Sequence, residues 1–337
     1  MAKLNVNYMG LDLKNPIVVG ASTLTADPKM AQQLEAAGAA AIVFKSLFEE
    51  QIQMERAQLT DELDEYTERH AEMISIFPHM EHAGPQEHLM LLKKVKESVS
   101  IPVIASLNCI YDVTWFEYAK LLEDVGVDAL ELNLYQMPWD VERTADQIEE
   151  EKVRIVKTLK ERVAIPISVK LSPYYTNTLN FVKKLDEAGV DAFVLFNRLF
   201  QPEISTSKEK HVTRFNLSHS GDFRLGLRYV GLLHKKIGAD LCGTNGIYTY
   251  KDVIQMLLSG ADAVQMVSAI YKNKPAYISQ LLKDIMQWMN EKGYQNIYDF
   301  KGKLSDSNLG ATDVYYRAQY LDYLLKPTEI MKKYPLR

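Results

Sequence analysis

One pattern recurs four times along this chain and restricts its architecture more than any other feature. A helix ends in glycine, a small or acidic residue follows, and an apolar strand begins. The copies are residues 36–46 (AAGAAAIVFKS), 124–134 (DVGVDALELNL), 187–197 (EAGVDAFVLFN) and 258–268 (LSGADAVQMVS). Glycine suits a helix C-terminus because it turns left-handed without a Cβ penalty. The runs that follow are too continuously apolar to alternate, so each fits a parallel strand covered on both faces.

A second pattern interleaves with the first. Ile101-Pro102-Val103 and Ile165-Pro166-Ile167 each open a strand after a charged amphipathic helix, and they stand 64 residues apart. Gly126 and Gly189 of the first pattern are 63 apart. Each spacing fits two βα units, so the two patterns mark alternating units. Strands are predicted at 17–22, 41–46, 103–109, 129–134, 167–172, 192–197, 240–244 and 263–268, with helices such as 115–125, 144–163 and 223–237 between them. Eight βα units predict an α/β protein of the (β/α)8 TIM-barrel class, one domain over 1–337. An open doubly wound sheet is the alternative, but no Gly-x-Gly-x-x-Gly follows the first strand. Two segments fall outside the repeat. Residues 47–88 form a long charged insertion after the second strand, expected over the barrel top. Residues 295–337 form a tail with a predicted helix at 314–325, whose Tyr315, Tyr316, Tyr320 and Tyr323 fit the barrel or a second subunit equally.

Composition narrows the partners. A net charge of -5 leaves no basic footprint for nucleic acid. No apolar run approaches the roughly 20 residues of a membrane span, and the start, Met1-Ala2-Lys3-Leu4-Asn5, has no apolar signal region, so a cytoplasmic protein without membrane attachment is expected. Cys109 and Cys242 sit in apolar strand runs and read as buried free thiols. His79, His82 and His88 read as a solvated loop, and no residue is assigned to a metal.

Chemistry in such a barrel belongs to the C-terminal strand ends. There the chain places Lys45, Asn133, Lys170, Asn197, Arg198, Thr244-Asn245-Gly246 and Ser268. A lysine inside an apolar strand is costly to bury unless it meets an anion or an acceptor. Lys45 and Lys170 therefore point to a bound anionic or polar ligand, or else each pairs with a barrel carboxylate such as Glu131. Asn245-Gly246 leads into a helix beginning near Thr249, whose free N–H groups could meet a phosphate; the alternative is a plain turn with a helix cap. The last two βα loops are the common phosphate site of this fold.

These residues carry a resemblance over roughly residues 4–290. The chain resembles the dihydroorotate dehydrogenase family. Asn15-Pro16 with Gly20-Ala21-Ser22 is similar to the family's first strand and flavin-contacting loop, and Phe44-Lys45-Ser46 to its Thr-Lys-Ser. Glu131-Leu132-Asn133-Leu134 and Val169-Lys170-Leu171-Ser172-Pro173 match Glu-Leu-Asn-Leu and Val-Lys-Leu-Ser-Pro. Asn197 matches an Asn near flavin and substrate, and Ser220-Gly221 a Ser-Gly of the phosphate loop. Gly243-Thr244-Asn245-Gly246-Ile247 resembles Gly-x-Gly-Gly-Ile, and the run from Gln265 to Ala269 resembles Gln-Val-Gly-Thr-Ala. The resemblance implies flavin mononucleotide (FMN) held by Ala21, Ser22, Lys45, Lys170, Asn197, Ser220, Gly221, Asn245, Gly246 and Ser268. It implies oxidation of dihydroorotate to orotate in pyrimidine biosynthesis, with hydride leaving carbon 6 for flavin N5 and a base taking the carbon 5 proton. Lys45 and Asn133 would hold the substrate. A homodimer with a soluble electron acceptor is implied as well.

The departures from the family are specific. Its Ser-Cys-Pro-Asn, with the catalytic Cys or Ser, is replaced by Tyr135-Gln136-Met137-Pro138, and a carboxamide cannot accept a proton usefully near neutral pH. Tyr135 is the nearest residue able to do so, with help from Lys45, against the alternative of a packing aromatic. The family's Arg-x-Gly-Asn-Pro after the second strand is absent, and Asn245 and Val267 stand where it has glycines. Two other functions stay open: an FMN enzyme for another dihydropyrimidine or unsaturated substrate, and a barrel enzyme that binds a phosphate ligand without redox chemistry.

Overall fold

The computed structural model describes residues 2–54, 85–199, 201–212, 217–309, 313–316, 320, 321, 325 and 332. Eight parallel strands close a barrel: β1 (Ile17–Val19), β2 (Ala41–Val43), β3 (Val103–Asn108), β4 (Ala129–Asn133), β5 (Ile167–Leu171), β6 (Ala192–Leu195), β7 (Asp240–Gly243) and β8 (Ala263–Met266). They pair in the order β2-β1-β8-β7-β6-β5-β4-β3, and β3 pairs back onto β2, which completes the cylinder. Helices α1 (Pro28–Ala36), α2 (Pro85–Ser98), α3 (Asp112–Asp124), α4 (Ala145–Arg162), α5 (Thr178–Glu187), α6 (Arg224–Leu233), α7 (Tyr250–Ser259) and α8 (Tyr277–Lys292) alternate with the strands. The protein is a (β/α)8 barrel, and all eight predicted strands are present. Each is shorter than predicted, because the polar residues at the ends leave the sheet to line the mouth.

The repeat has a physical basis at the barrel foot. Gly126 and Gly189 follow α3 and α5 at φ +89° and +91°, the left-handed turn that glycine allows. The acid two residues later then caps the open start of the strand one unit back. Asp128 accepts from the Val103 amide at 2.7 Å, Asp191 from Ile167 at 2.7 Å and Asp262 from Leu241 at 2.9 Å. Lys96, Lys160 and Lys301 pair with these three carboxylates in turn. Asp191→Ala would strip the partner from a strand-end amide, at a cost of about 1–3 kcal/mol. Urea unfolding is expected to show that loss, with Lys160→Met costing less because the Ile167 bond survives.

The foot is plugged by the hairpin Val6–Tyr8 and Leu11–Leu13, whose Tyr8 is fully buried. The Met9 amide donates to Asp240 Oδ2 at 2.8 Å. Cys109 and Cys242 are buried thiols in no disulfide among the described residues, and burial pushes the Cys242 thiol well up, so it stays protonated.

The segments outside the repeat are only partly described. Leu47–Phe48 adds a short parallel strand beside β3. His88 does not lie in a solvated loop. It is on α2, buried edge-on against Phe44 with ring centroids 5.0 Å apart. The rest of that expectation, including His79 and His82, falls outside the described residues. The tail begins in cis: Lys3 bridges to Asn296, and Ile297 and Phe300 are buried on the barrel. Tyr315 packs against Gly231 of α6, its hydroxyl donating to the Leu304 carbonyl at 2.5 Å. Within the predicted 314–325 helix, Asp313–Tyr315 is a 3-10 turn, Tyr320 is exposed, and Tyr323 lies outside the described residues.

Candidate active site

Inside the barrel three side chains from three strands meet. Lys170 Nζ on β5 donates to Gln265 Oε1 on β8 at 3.0 Å and lies 3.3 Å from Glu131 Oε1 on β4. Gln265 Nε2 donates to the other Glu131 oxygen. Strands β5 and β8 are not neighbours in the sheet, so this contact crosses the lumen. Lys170 therefore does pair with Glu131, the plainer of the two roles open to it. Its ammonium is oriented by two partners and lies 9% exposed at the strand end. A buried pair of this kind is better at fixing a charge in place than at adding stability.

Above it the polar ring continues. Asn197 Nδ2 donates to Asn133 Oδ1 at 3.0 Å, which joins the ends of β6 and β4. Asn108 Nδ2 donates to the Asn133 carbonyl at 2.8 Å and to the Tyr135 carbonyl at 3.3 Å, which pins the start of the loop after β4. Ser46 and Ser106 share a hydroxyl hydrogen bond of 2.7 Å. Lys45 ends β2 exposed, with no ion pair among the described residues.

Lys45 nevertheless acts on its surroundings. His88 is pushed down to about 4, by burial first and by Lys45 second. Its folded value lies below its ordinary 6.5, so neutral His88 contributes stability above about pH 6.5 that is lost as pH falls toward 4. Lys45→Met is expected to raise the His88 titration toward, but not to, the ordinary value, because burial remains. A histidine NMR titration reads this directly, and an unmoved curve would contradict it.

The last loops gather as the sequence predicts, with one correction. The α7 N-terminus is not an open anion site. Thr249 and Asp252 form a capping box, and the Asp252 carboxylate accepts from the Tyr248 and Thr249 amides at 2.9 and 2.8 Å. The loops before it lie together at the same rim instead. The Ser218 amide donates to Ser268 Oγ at 3.1 Å, and Ser268 opens a short helix, Ser268–Asn273, rather than ending a strand. Ser220 and Gly221 follow in the same turn, held by His219 N to Asp222 Oδ2 at 2.8 Å. Gly246, at φ +75°, lies so close to this turn that a Cβ would sit 2.6 Å from both the His219 carbonyl and Asp222 Cβ. Asn245 keeps a left-handed backbone at φ +68°, which glycine adopts freely and asparagine tolerates. Its Oδ1 is buried without a partner, an acceptor available to a ligand donor. Val267 also fits: its Cγ2 occupies the space a Cβ on Gly20 would take, 2.9 Å away, and Ala21 and Ser22 follow at the same rim. A cavity of about 350 Å³ opens between Asn197, Arg198, His219, Asp222, Thr244 and Asn245.

Tyr135 and Gln136 line a second cavity, on the far side of the β4 loop, with Lys152 of α4. Three participants were not singled out from sequence: Asn108, the bridging role of Gln265, and Lys152, which donates to Gln136 Oε1 at 3.3 Å. Lys152 occurs in the charged run Glu149–Lys152 and reads as solvated there. Its register with Ile148, Ile155 and Leu159 was the available signal that it faces inward.

A parallel (β/α)8 barrel with polar groups converging at its C-terminal mouth is the frame of a barrel enzyme. The chain belongs to the dihydroorotate dehydrogenase family, whose model matches residues 3–289. It is 28% identical to the catalytic subunit of dihydroorotate dehydrogenase B (NAD(+)) of Thermoplasma volcanium, over 90% of this chain and 98% of that protein. It is 25% identical to the corresponding subunit of Pyrococcus abyssi, over 89% and 98%. It is also 25% identical to dihydroorotate dehydrogenase A (fumarate) of Lactobacillus helveticus, over 90% and 99%. Among the described residues no helix is long and apolar enough to cross a membrane.

Proposed function

We propose that this chain is an FMN-dependent oxidoreductase acting on a CH–CH bond, with dihydroorotate as the first substrate to test. The observation that carries the reading is Lys170, a lumenal ammonium oriented by Glu131 and Gln265 beneath the mouth. FMN, when bound, supplies the two-electron acceptor for the hydride. Lys170 holds positive charge where negative charge develops on the reduced ring, an electrostatic role. Ser220, Gly221, Gly246 and Ser268 would hold the phosphate end, and the unpartnered Asn245 Oδ1 would offer an acceptor to the cofactor. Ala21, Ser22 and Asn197 complete the cofactor wall. Lys45 and Asn133 orient the substrate. Tyr135, as its phenolate, would take the substrate proton, since Gln136 cannot.

One observation favours a second substrate reading. Gln136, at the family's base position, is bonded to Lys152, and Pro138 replaces a substrate-binding Asn, so the substrate shell differs. The same flavin chemistry then serves another dihydropyrimidine or an unsaturated compound. Anaerobic addition of dihydroorotate to the flavin-loaded protein separates the two. Bleaching of the flavin band is expected for dihydroorotate. No bleaching by dihydroorotate, with bleaching by dithionite, transfers the assignment to the second substrate class.

A further inference from the structure

The second cavity, of about 420 Å³, lies between the loop after β4 and the first turns of α4. Its distinguishing group is Lys152, only 6% exposed. Lys152 occupies the inward face of α4, where Ile155, Val156 and Leu159 pack into the core. Its one polar partner among the described residues is Gln136 Oε1 at 3.3 Å, longer than the roughly 2.7–2.9 Å of a charge-assisted bond. Of the nearby carboxylates, Glu151 pairs with Arg143 and Glu149 with Lys184 at 3.2 Å, while Asp140, also in the lining, accepts from the Glu142 amide at 3.0 Å. Among the described residues none lies within ion-pair distance of Lys152. A buried ammonium facing a single neutral carboxamide is poorly compensated. Burial pushes Lys152 down from the ordinary lysine value, with Glu151 opposing and Arg143 reinforcing.

The rest of the lining says what would compensate it. Val141, Ile148, Tyr174 and Tyr175 form an apolar and aromatic wall, and Ser172 adds a hydroxyl. One unmatched positive charge suits a monoanion better than a phosphate, because the Arg143 guanidinium is already engaged. The wall suits a flat apolar body.

We propose that this cavity is a binding site for a small aromatic carboxylate, whose carboxylate replaces Gln136 Oε1 on Lys152 Nζ. Gln136 is then released from Lys152. The loop that carries Gln136 starts at Asn133, so occupancy here bears on the rim of the mouth. None of the proposed cofactor residues lines this cavity, but Tyr135, the proposed proton acceptor, does, so the site adjoins the substrate region of the flavin reading.

Isothermal titration calorimetry with phenylacetate, and with phenylacetamide as its uncharged match, tests the site on the full chain. Phenylacetate is expected to bind with Kd of about 1 mM or tighter, and the amide at least about tenfold more weakly. Lys152→Met should abolish the preference while still melting cooperatively. Gln136→Ala removes only the competing acceptor and should tighten phenylacetate binding, which keeps the test decisive if Lys152→Met does not fold. No binding of phenylacetate to the wild type, equal binding of acid and amide, or unchanged binding in either variant would overturn the proposal.

Discussion

Lys170→Met is expected to yield a protein that neither retains nor takes up FMN and that unfolds at markedly lower urea concentration. The two losses have separate causes. Glu131 is 1% exposed and would be left with only the Gln265 amide as partner. Removing one member of a buried pair costs about 3–5 kcal/mol. Lys170→Met combined with Glu131→Gln removes both charges and should recover most of that stability. It should not recover FMN binding, because the oriented ammonium is still missing. Urea titration reads the first effect and flavin fluorescence quenching the second. A double variant that binds FMN like wild type would remove Lys170 from the cofactor site.

Gly246→Ala is the second large effect, and it is confined to the phosphate cradle. The left-handed backbone alone costs a non-glycine residue about 1–2 kcal/mol. Beyond that, the new Cβ would overlap the His219 carbonyl and Asp222 Cβ, so the turn carrying Ser220 and Gly221 must move. FMN affinity is expected to fall by about tenfold or more, which corresponds to about 1.4 kcal/mol or more of lost binding. Gly10→Ala is the control. Gly10 has nearly the same φ, +74°, but nothing within 4 Å of its added Cβ, and it lies in the hairpin at the opposite end of the barrel. It should carry the backbone penalty in stability and leave FMN affinity unchanged. Equal FMN binding by Gly246→Ala and wild type would show that this turn does not hold the phosphate.

The barrel was legible because its strands obey local rules. A strand buried on both faces reads as an unbroken apolar run, and Gly126, Gly189 and Gly260 mark where each preceding helix must stop. The acids Asp128, Asp191 and Asp262 were visible as part of the repeat, but their bonds to strand amides one unit back are long-range. Strand ends were read too long for the same reason that they matter: Ser22, Ser46 and Ser172 leave the ladder for the rim. Ser268 is the clearest case, since it begins a helix rather than ending β8. Within the site, residue types and strand positions could be read, but pairings could not. Lys170 with Gln265, and Asn197 with Asn133, join strands that are not neighbours in the sheet, and Lys170 meets Glu131 across the β4–β5 pairing. The phosphate reading at α7 failed because Asp252, three residues past Thr249, supplies the capping carboxylate from within the helix itself. That signal was present in the sequence.

The central claim is that this barrel mouth holds a flavin. The absorbance spectrum of the purified protein, with chromatography of the heat-released cofactor, tests it most directly. The account predicts a yellow protein with the two visible and near-ultraviolet flavin bands, releasing FMN in about one-to-one ratio with the chain. A colourless protein that does not take up added FMN would contradict it.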